Sequence, residues 1–179
     1  MPIFMSKFSY ILLVLLIGSA SYGQVFPSIS TNTLTREEVQ LPDALNGKKS
    51  IIFLALSKKA EEKLADWYEP VYTLFLDESG FNAMAYDCNI RLLVLISGAA
   101  LPAAERIKAQ IALNANESMS ELLLIAEGNF NGFYEDLSLS KNGDAFVIVL
   151  SENGSVIFQA EADYSDRLLD KIGELVELQ

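Results

Sequence analysis

Histidine is missing from the chain altogether, and cysteine occurs once, as Cys88. Without histidine there is no Ser-His-Asp triad, no Cys-His pair and no imidazole-ligated metal. A lone cysteine forbids an intrachain disulfide and a CxxC redox pair, so stability has to come from packing. Cationic side chains are also scarce. Lys and Arg total 13 against 24 Asp and Glu, for a net charge of -11. That balance repels nucleic acid and anionic lipid surfaces. Apolar side chains are plentiful: 51% of 179 residues are hydrophobic, enough to fill the core of one domain.

Residues 1–23 read as a secretory signal peptide. Lys7 supplies the positive start, "YILLVLLI" the apolar stretch and "GSASYG" a run of small residues. Cleavage after Gly23 would leave Gln24 first; cleavage after Ala20 is the alternative. The apolar stretch is shorter than the roughly 20 residues of a membrane-spanning helix. The expectation is an exported protein, periplasmic if the host is a Gram-negative bacterium and secreted otherwise, with no stable membrane span after cleavage.

Residues 24–49 are expected to form a lead-in with a short hairpin or edge strand in "TLTREEVQLP", followed by a turn at Asn46-Gly47. "SIIFLAL" is a continuous apolar run, which suits a strand covered on both faces. Ser57 can cap the next helix, where Ala60, Leu64, Trp67, Tyr68, Val71, Leu74 and Phe75 recur at helical spacing. Pro70 inside that pattern predicts a kink, and Ser79-Gly80 an end. Alternation of Met84, Tyr86, Cys88 and Ile90 predicts a second, parallel strand over 82–88. "RLLVLISGAA" is either a continuation of that strand or an apolar turn. A helix from Pro102 to about Leu113, a linker "NANESMS", a strand "ELLLIAE" and a short helix near 133–137 follow. The chain closes with "AFVIVL", a turn at Glu152-Asn153-Gly154, the returning "SVIFQAEA" and a helix capped by Ser165. The order gives an α/β fold with a mixed sheet between helices, built from a parallel βαβ start, an antiparallel hairpin and a closing helix.

That order, with "IIFLALS" entering the Pro70 helix and "DAFVIVLSENGSVIFQAEADYSDRLLDKI" closing the chain, resembles the thioredoxin-like superfamily, a three-layer sandwich, over residues 47–178. The lead-in hairpin and "ELLLIAE" look like exported TlpA- or peroxiredoxin-like variants. "LPDALNGKKSIIFLALSKKAEEKLADWYEPV" has a fainter likeness to the thioredoxin-fold mitochondrial ATP-synthase assembly proteins. Active members of the superfamily place WCxxC where the first core strand meets its helix, and a cis-proline before the final hairpin. The matching stretches here are "LSKKA" (56–60) and "KNGDAF" (141–146), with neither cysteine nor proline. The resemblance thus implies the shape without the dithiol chemistry.

The domain is expected over residues 50–179, acting as a binding or assembly module for a protein partner, with no cofactor and no metal. Candidate binding residues are Ser57, Lys58 and Lys59 at the joint, and Phe130, Phe133 and Tyr134 in an exposed-looking loop. Two other functions are open on the residues. Cys88 could serve a one-cysteine, peroxidase-like enzyme, although an apolar strand face suits a buried, inert thiol better. Lys58 and Lys59 at a helix start could hold a small anion, although solvated lysines are the simpler reading. The acidic stretches "LDESG" and "EADYSD" lack the spacing of a calcium loop.

Overall fold

Seven strands form one mixed sheet in the order β2-β1-β5-β4-β3-β6-β7 in a computed structural model of the protein. It describes residues 24–45, 47–56, 58–77, 85–140 and 145–178, and for Lys58, Lys59, Glu61 and Glu62 the backbone alone. The strands are β1 (Ile29–Asn32), β2 (Glu38–Leu41), β3 (Ser50–Ala55), β4 (Asn89–Ser97), β5 (Leu123–Gly128), β6 (Ala145–Leu150) and β7 (Val156–Glu161). The helices are α1 (Lys58–Val71), α2 (Ala104–Asn114), α3 (Glu117–Leu122), α4 (Asn131–Asp136) and α5 (Asp166–Val176). β3, β4 and β5 run parallel; β6 pairs antiparallel with β3, and β7 with β6. Of the hairpin or edge strand expected in "TLTREEVQLP", that stretch supplies the edge strand β2, and its hairpin partner β1 precedes it.

The continuous apolar runs become the inner strands for a simple reason. Every residue of β3 and of β6 is buried, because helices cover both faces. Ile52 and Leu54 point into a cluster with Phe26, Phe133 and Leu137, under α4 and the β1–β2 hairpin. Ile51, Phe53 and Ala55 point the other way, into a cluster with Trp67, Val71 and Phe75 of the α1 arm and Ile172 and Val176 of α5. A third, smaller cluster of Ile96, Ala104 and Ile125 lies under α2. Among the described residues no helix is long and apolar enough to cross a membrane.

Two expectations are corrected. The second core strand is not 82–88 but Asn89–Ser97. Residues 82–84 lie outside the described residues, and Ala85 to Cys88 form no strand, only one bridge from Tyr86 to Glu177. The period-two pattern of Tyr86 and Cys88 was the weaker signal. A parallel strand buried on both faces needs the unbroken run "RLLVLIS", which is where β4 falls. The "NANESMS" linker holds the start of α3, capped by Asn116, whose side chain accepts a hydrogen bond from the Met119 amide at 2.8 Å.

α1 passes through Pro70, and its last turn, Tyr72–Leu76, widens to π-helical, closed by the Asp77 amide donating to the Tyr72 carbonyl. Pro70 gives no N–H to the Asp66 carbonyl four residues back, yet α1 continues through it, and the widened turn follows the proline. Residues 78–80, where the helix was expected to end, lie outside the described residues, as does Asn46 of the turn at Gly47 (φ +70°). Ser165 caps α5 as expected, accepting from the Leu168 amide at 3.3 Å.

Replacing Ser165 by Ala should cost about 1 kcal/mol through the lost cap. Leu54→Ala, in the middle of β3, should cost about 2–5 kcal/mol through the cavity it leaves. Urea unfolding followed by circular dichroism measures both, and equal costs would contradict the burial described above.

Candidate functional site

The strand-to-helix joint lies where β3 ends at Ala55 and α1 opens at Lys58. Ser57 lies outside the described residues, and α1 offers only the backbone of Lys58 and Lys59, so their expected role in holding an anion has no geometry here. Leu56 turns toward the α4 side of the sheet, where it packs on the first cluster. Residues 141–144, which would face the joint in the resemblance, also lie outside the described residues.

The aromatic loop is corrected. Phe130 and Phe133 are 8% and 7% exposed and belong to the core. Phe133 meets Phe26 edge-on at 5.5 Å between ring centroids. The sequence pattern "GNFNGFYED", rich in turn formers, hid this because α4 is short and brings only one face inward. Tyr134 alone of the three stays half-buried. Burial raises its phenol pKa, opposed by a hydrogen bond with the Ser97 side chain at the end of β4. Two of the three aromatics are thus core residues and not part of an exposed loop.

Cys88 sits at the opposite end of the sheet. It directly precedes β4, whose first residue, Asn89, is in register with Ser50 at the start of β3, whereas the joint follows the last. The two are therefore separated by the length of β3, about 17 Å at the usual rise per residue. Cys88 is half-buried, beside the second core cluster. Burial pushes its thiol pKa up to about 11, the Asp87 carboxylate adds to this, and Lys48 opposes it. Lys48 is ion-paired to Asp87, so its influence on the sulfur is largely compensated.

The surroundings of Cys88 are a clasp. Tyr86 stacks edge-on against Phe75 at 4.8 Å and bridges to Glu177, the Lys49 ammonium donates to the Glu177 carbonyl at 3.2 Å, and the Leu178 amide donates to the Ala85 carbonyl. These bonds tie the C-terminus across the lower end of the sheet. Sequence reasoning missed the clasp, because its partners are some 90 or more residues apart, as in Tyr86 and Glu177, and no local pattern links them. Of the acidic stretches, residues 161–166 lead into α5, with Lys63 paired to Asp163 at 2.8 Å and the Tyr164 hydroxyl donating to Asp166 at 2.7 Å.

The thiol's raised pKa has two consequences with a fixed sign. Alkylation of native Cys88 should be slow at pH 7 and accelerate only as pH climbs toward about 11. The unfolded thiol ionises nearer 9, so stability is retained below that pH and lost progressively between it and about 11. Asp87→Asn should lower the thiol pKa, removing the anion and leaving Lys48 unpaired, and so speed alkylation at pH 9. Iodoacetamide kinetics across pH measure this; an unchanged rate in the variant would remove Asp87 from the account.

No family model and no curated protein sequence matches the chain. Its fold, however, is shared with solved structures. BsSco, a member of the Sco family of cytochrome c oxidase assembly proteins, superposes with a TM-score of 0.58 at 10% identity, covering 86% of this chain and 92% of that one. The pneumococcal exposed lipoprotein thioredoxin Etrx1 from Streptococcus pneumoniae gives 0.56 at 13% identity, over 83% and 99%. A thiol:disulfide interchange protein of the thioredoxin family from Chlorobium tepidum gives 0.52 at 12% identity, over 86% and 96%. These likenesses agree with the strand order, the parallel βαβ start and the closing hairpin and helix described above. The chain has a thioredoxin-like fold and, with Cys88 its single cysteine, carries no CxxC pair.

Proposed function

We propose that the protein is an exported thioredoxin-fold module that works by binding a protein partner, in assembly or docking, and not by dithiol exchange. The observation that carries this reading is the single cysteine: reversible electron exchange in this fold needs two sulfurs within reach, and the chain has one. Export rests on the pattern of residues 1–23. The assembly role draws on the Sco family, whose members the structural likeness to BsSco brings in as oxidase assembly proteins.

A one-cysteine peroxidase at Cys88 needs a thiolate near neutral pH. Burial and the neighbouring Asp87 act against that. An anion carrier at Ser57, Lys58 and Lys59 draws on sequence alone.

The experiment has two arms. Purified mature protein should give no insulin-disulfide reduction above background, and reduction at thioredoxin-like rates would refute the reading. Affinity capture from the host's own cell envelope should retain one specific protein at stoichiometric yield, and a Cys88→Ser variant should retain it equally. Loss of capture in that variant would move the function to the thiol. Intact mass of the exported product should correspond to a chain beginning at Gln24.

A further inference from the structure

We infer that the long cleft between α1 and the α2–α3 pair is a binding site for a neutral, elongated hydrocarbon chain. This goes beyond the partner-binding reading and uses neither Cys88 nor the joint. The starting observation is a gap in the core. β4 is the middle strand of the seven. Its Leu92 and Val94 lie in register with Phe53 and Ala55 of β3, on the same face. Phe53 and Ala55 are 2% and 4% exposed, yet Leu92 and Val94 are only half-buried. The central strand of a helix-covered sheet should be its driest part. Here the cluster under α1 and the cluster under α2 share one face without meeting over β4.

Between them lies a cavity of about 840 Å³, within the range of small-molecule sites. It follows β4 from Ile90 to Ser97, a span of about 23 Å at the rise of a strand. Its walls include Leu64, Trp67 and Val71 of α1, Ile107 and Ile111 of α2, and Met119 of α3, and among the described residues no charged side chain lines it.

The walls select the occupant. Polar groups on the lining are already engaged: the Trp67 indole N–H donates to the Ala162 carbonyl at 2.8 Å, Asn116 donates to the Tyr68 hydroxyl at 3.0 Å, and Ser97 is bonded to Tyr134. Gln110 and Asn114 are exposed at the mouth. Among the described residues nothing on the walls offers a charged ligand a counter-charge, and away from the mouth water would lack the two to four partners it needs. An extended peptide would find no strand edge, because β4 is paired on both sides by β3 and β5. A second copy of the chain would bring another net charge of -11. A hydrocarbon chain asks for none of these, and its elongated shape suits a cleft that follows a strand.

Trp67 makes the test direct, since it is the chain's one tryptophan and lines the cleft. Full mature protein is titrated with ω-bromoundecanol, whose bromine quenches indole emission on contact. Saturable quenching is expected, none from bromoethanol beyond collision, and binding of ω-bromoundecanoate about ten-fold weaker or more. Val94→Phe, which fills the cleft, and Ile111→Glu, which charges its wall, should each weaken the alcohol about ten-fold or more. Circular dichroism and urea midpoints establish that each variant is folded; the wild-type titration stands without them. Vesicles of phosphatidylcholine brominated on its acyl chains form the second arm. Quenching by the free alcohol alone assigns a soluble ligand, and quenching by vesicles alone assigns the tail of a bilayer lipid. Non-saturable quenching in both arms, or saturation untouched by both folded variants, overturns the inference.

Discussion

Everything else in this fold depends on β3 being buried on both faces at once. Its six residues alternate between two clusters, so Ile52 and Leu54 hold the α4 side while Ile51, Phe53 and Ala55 hold the α1 side. A slip of one residue would exchange the two sets. The register with β4 on one side and β6 on the other fixes the strand, and the strand in turn fixes where α1 begins. With one cysteine and so no intrachain disulfide, the chain must draw its stability from this alternating packing.

The position of the sulfur follows from the same frame. The joint after β3 is the place where a helix start can depress a thiol pKa, by its dipole and free amides. In this chain the joint reads Leu-Ser-Lys-Lys, and the sulfur stands one strand length away, at the end where strands begin and no helix opens toward it. What surrounds Cys88 there is an apolar cluster and the Asp87 carboxylate, which favour the neutral thiol over the opposing pull of Lys48.

How much of this was legible in the sequence depends on how local each signal is. β3 and β6 were readable because a strand covered on both faces has to be apolar throughout, and "SIIFLA" and "AFVIVL" are. The closing hairpin and the Ser165 cap were readable because a turn and a cap are set by neighbours in sequence. β4 was displaced because Tyr86 and Cys88 imitate a strand period while in fact packing their side chains onto the α1–α5 cluster from a loop. Phe130 and Phe133 were misjudged for a related reason. Their burial depends on Phe26, more than 100 residues earlier in the chain, and on a sheet face that no local pattern reveals.

The cleft belongs to that last class, and it joins the chain's two compositional extremes. Each residue that lines it is, taken singly, an ordinary core residue at an ordinary helical or strand spacing. Only the assembled fold shows that α1 and α2 stand apart over β4, leaving Leu92 and Val94 half-buried. Among the described residues the acidic surplus that gives the chain its net charge of -11 stays off those walls. A surface that charged discourages apolar molecules from settling on it anywhere else, and it keeps a chain with an open apolar cleft from pairing with its own copies. The acidity and the cleft are thus compatible halves of one arrangement: a repelling exterior beside an elongated cleft whose described walls carry no charge.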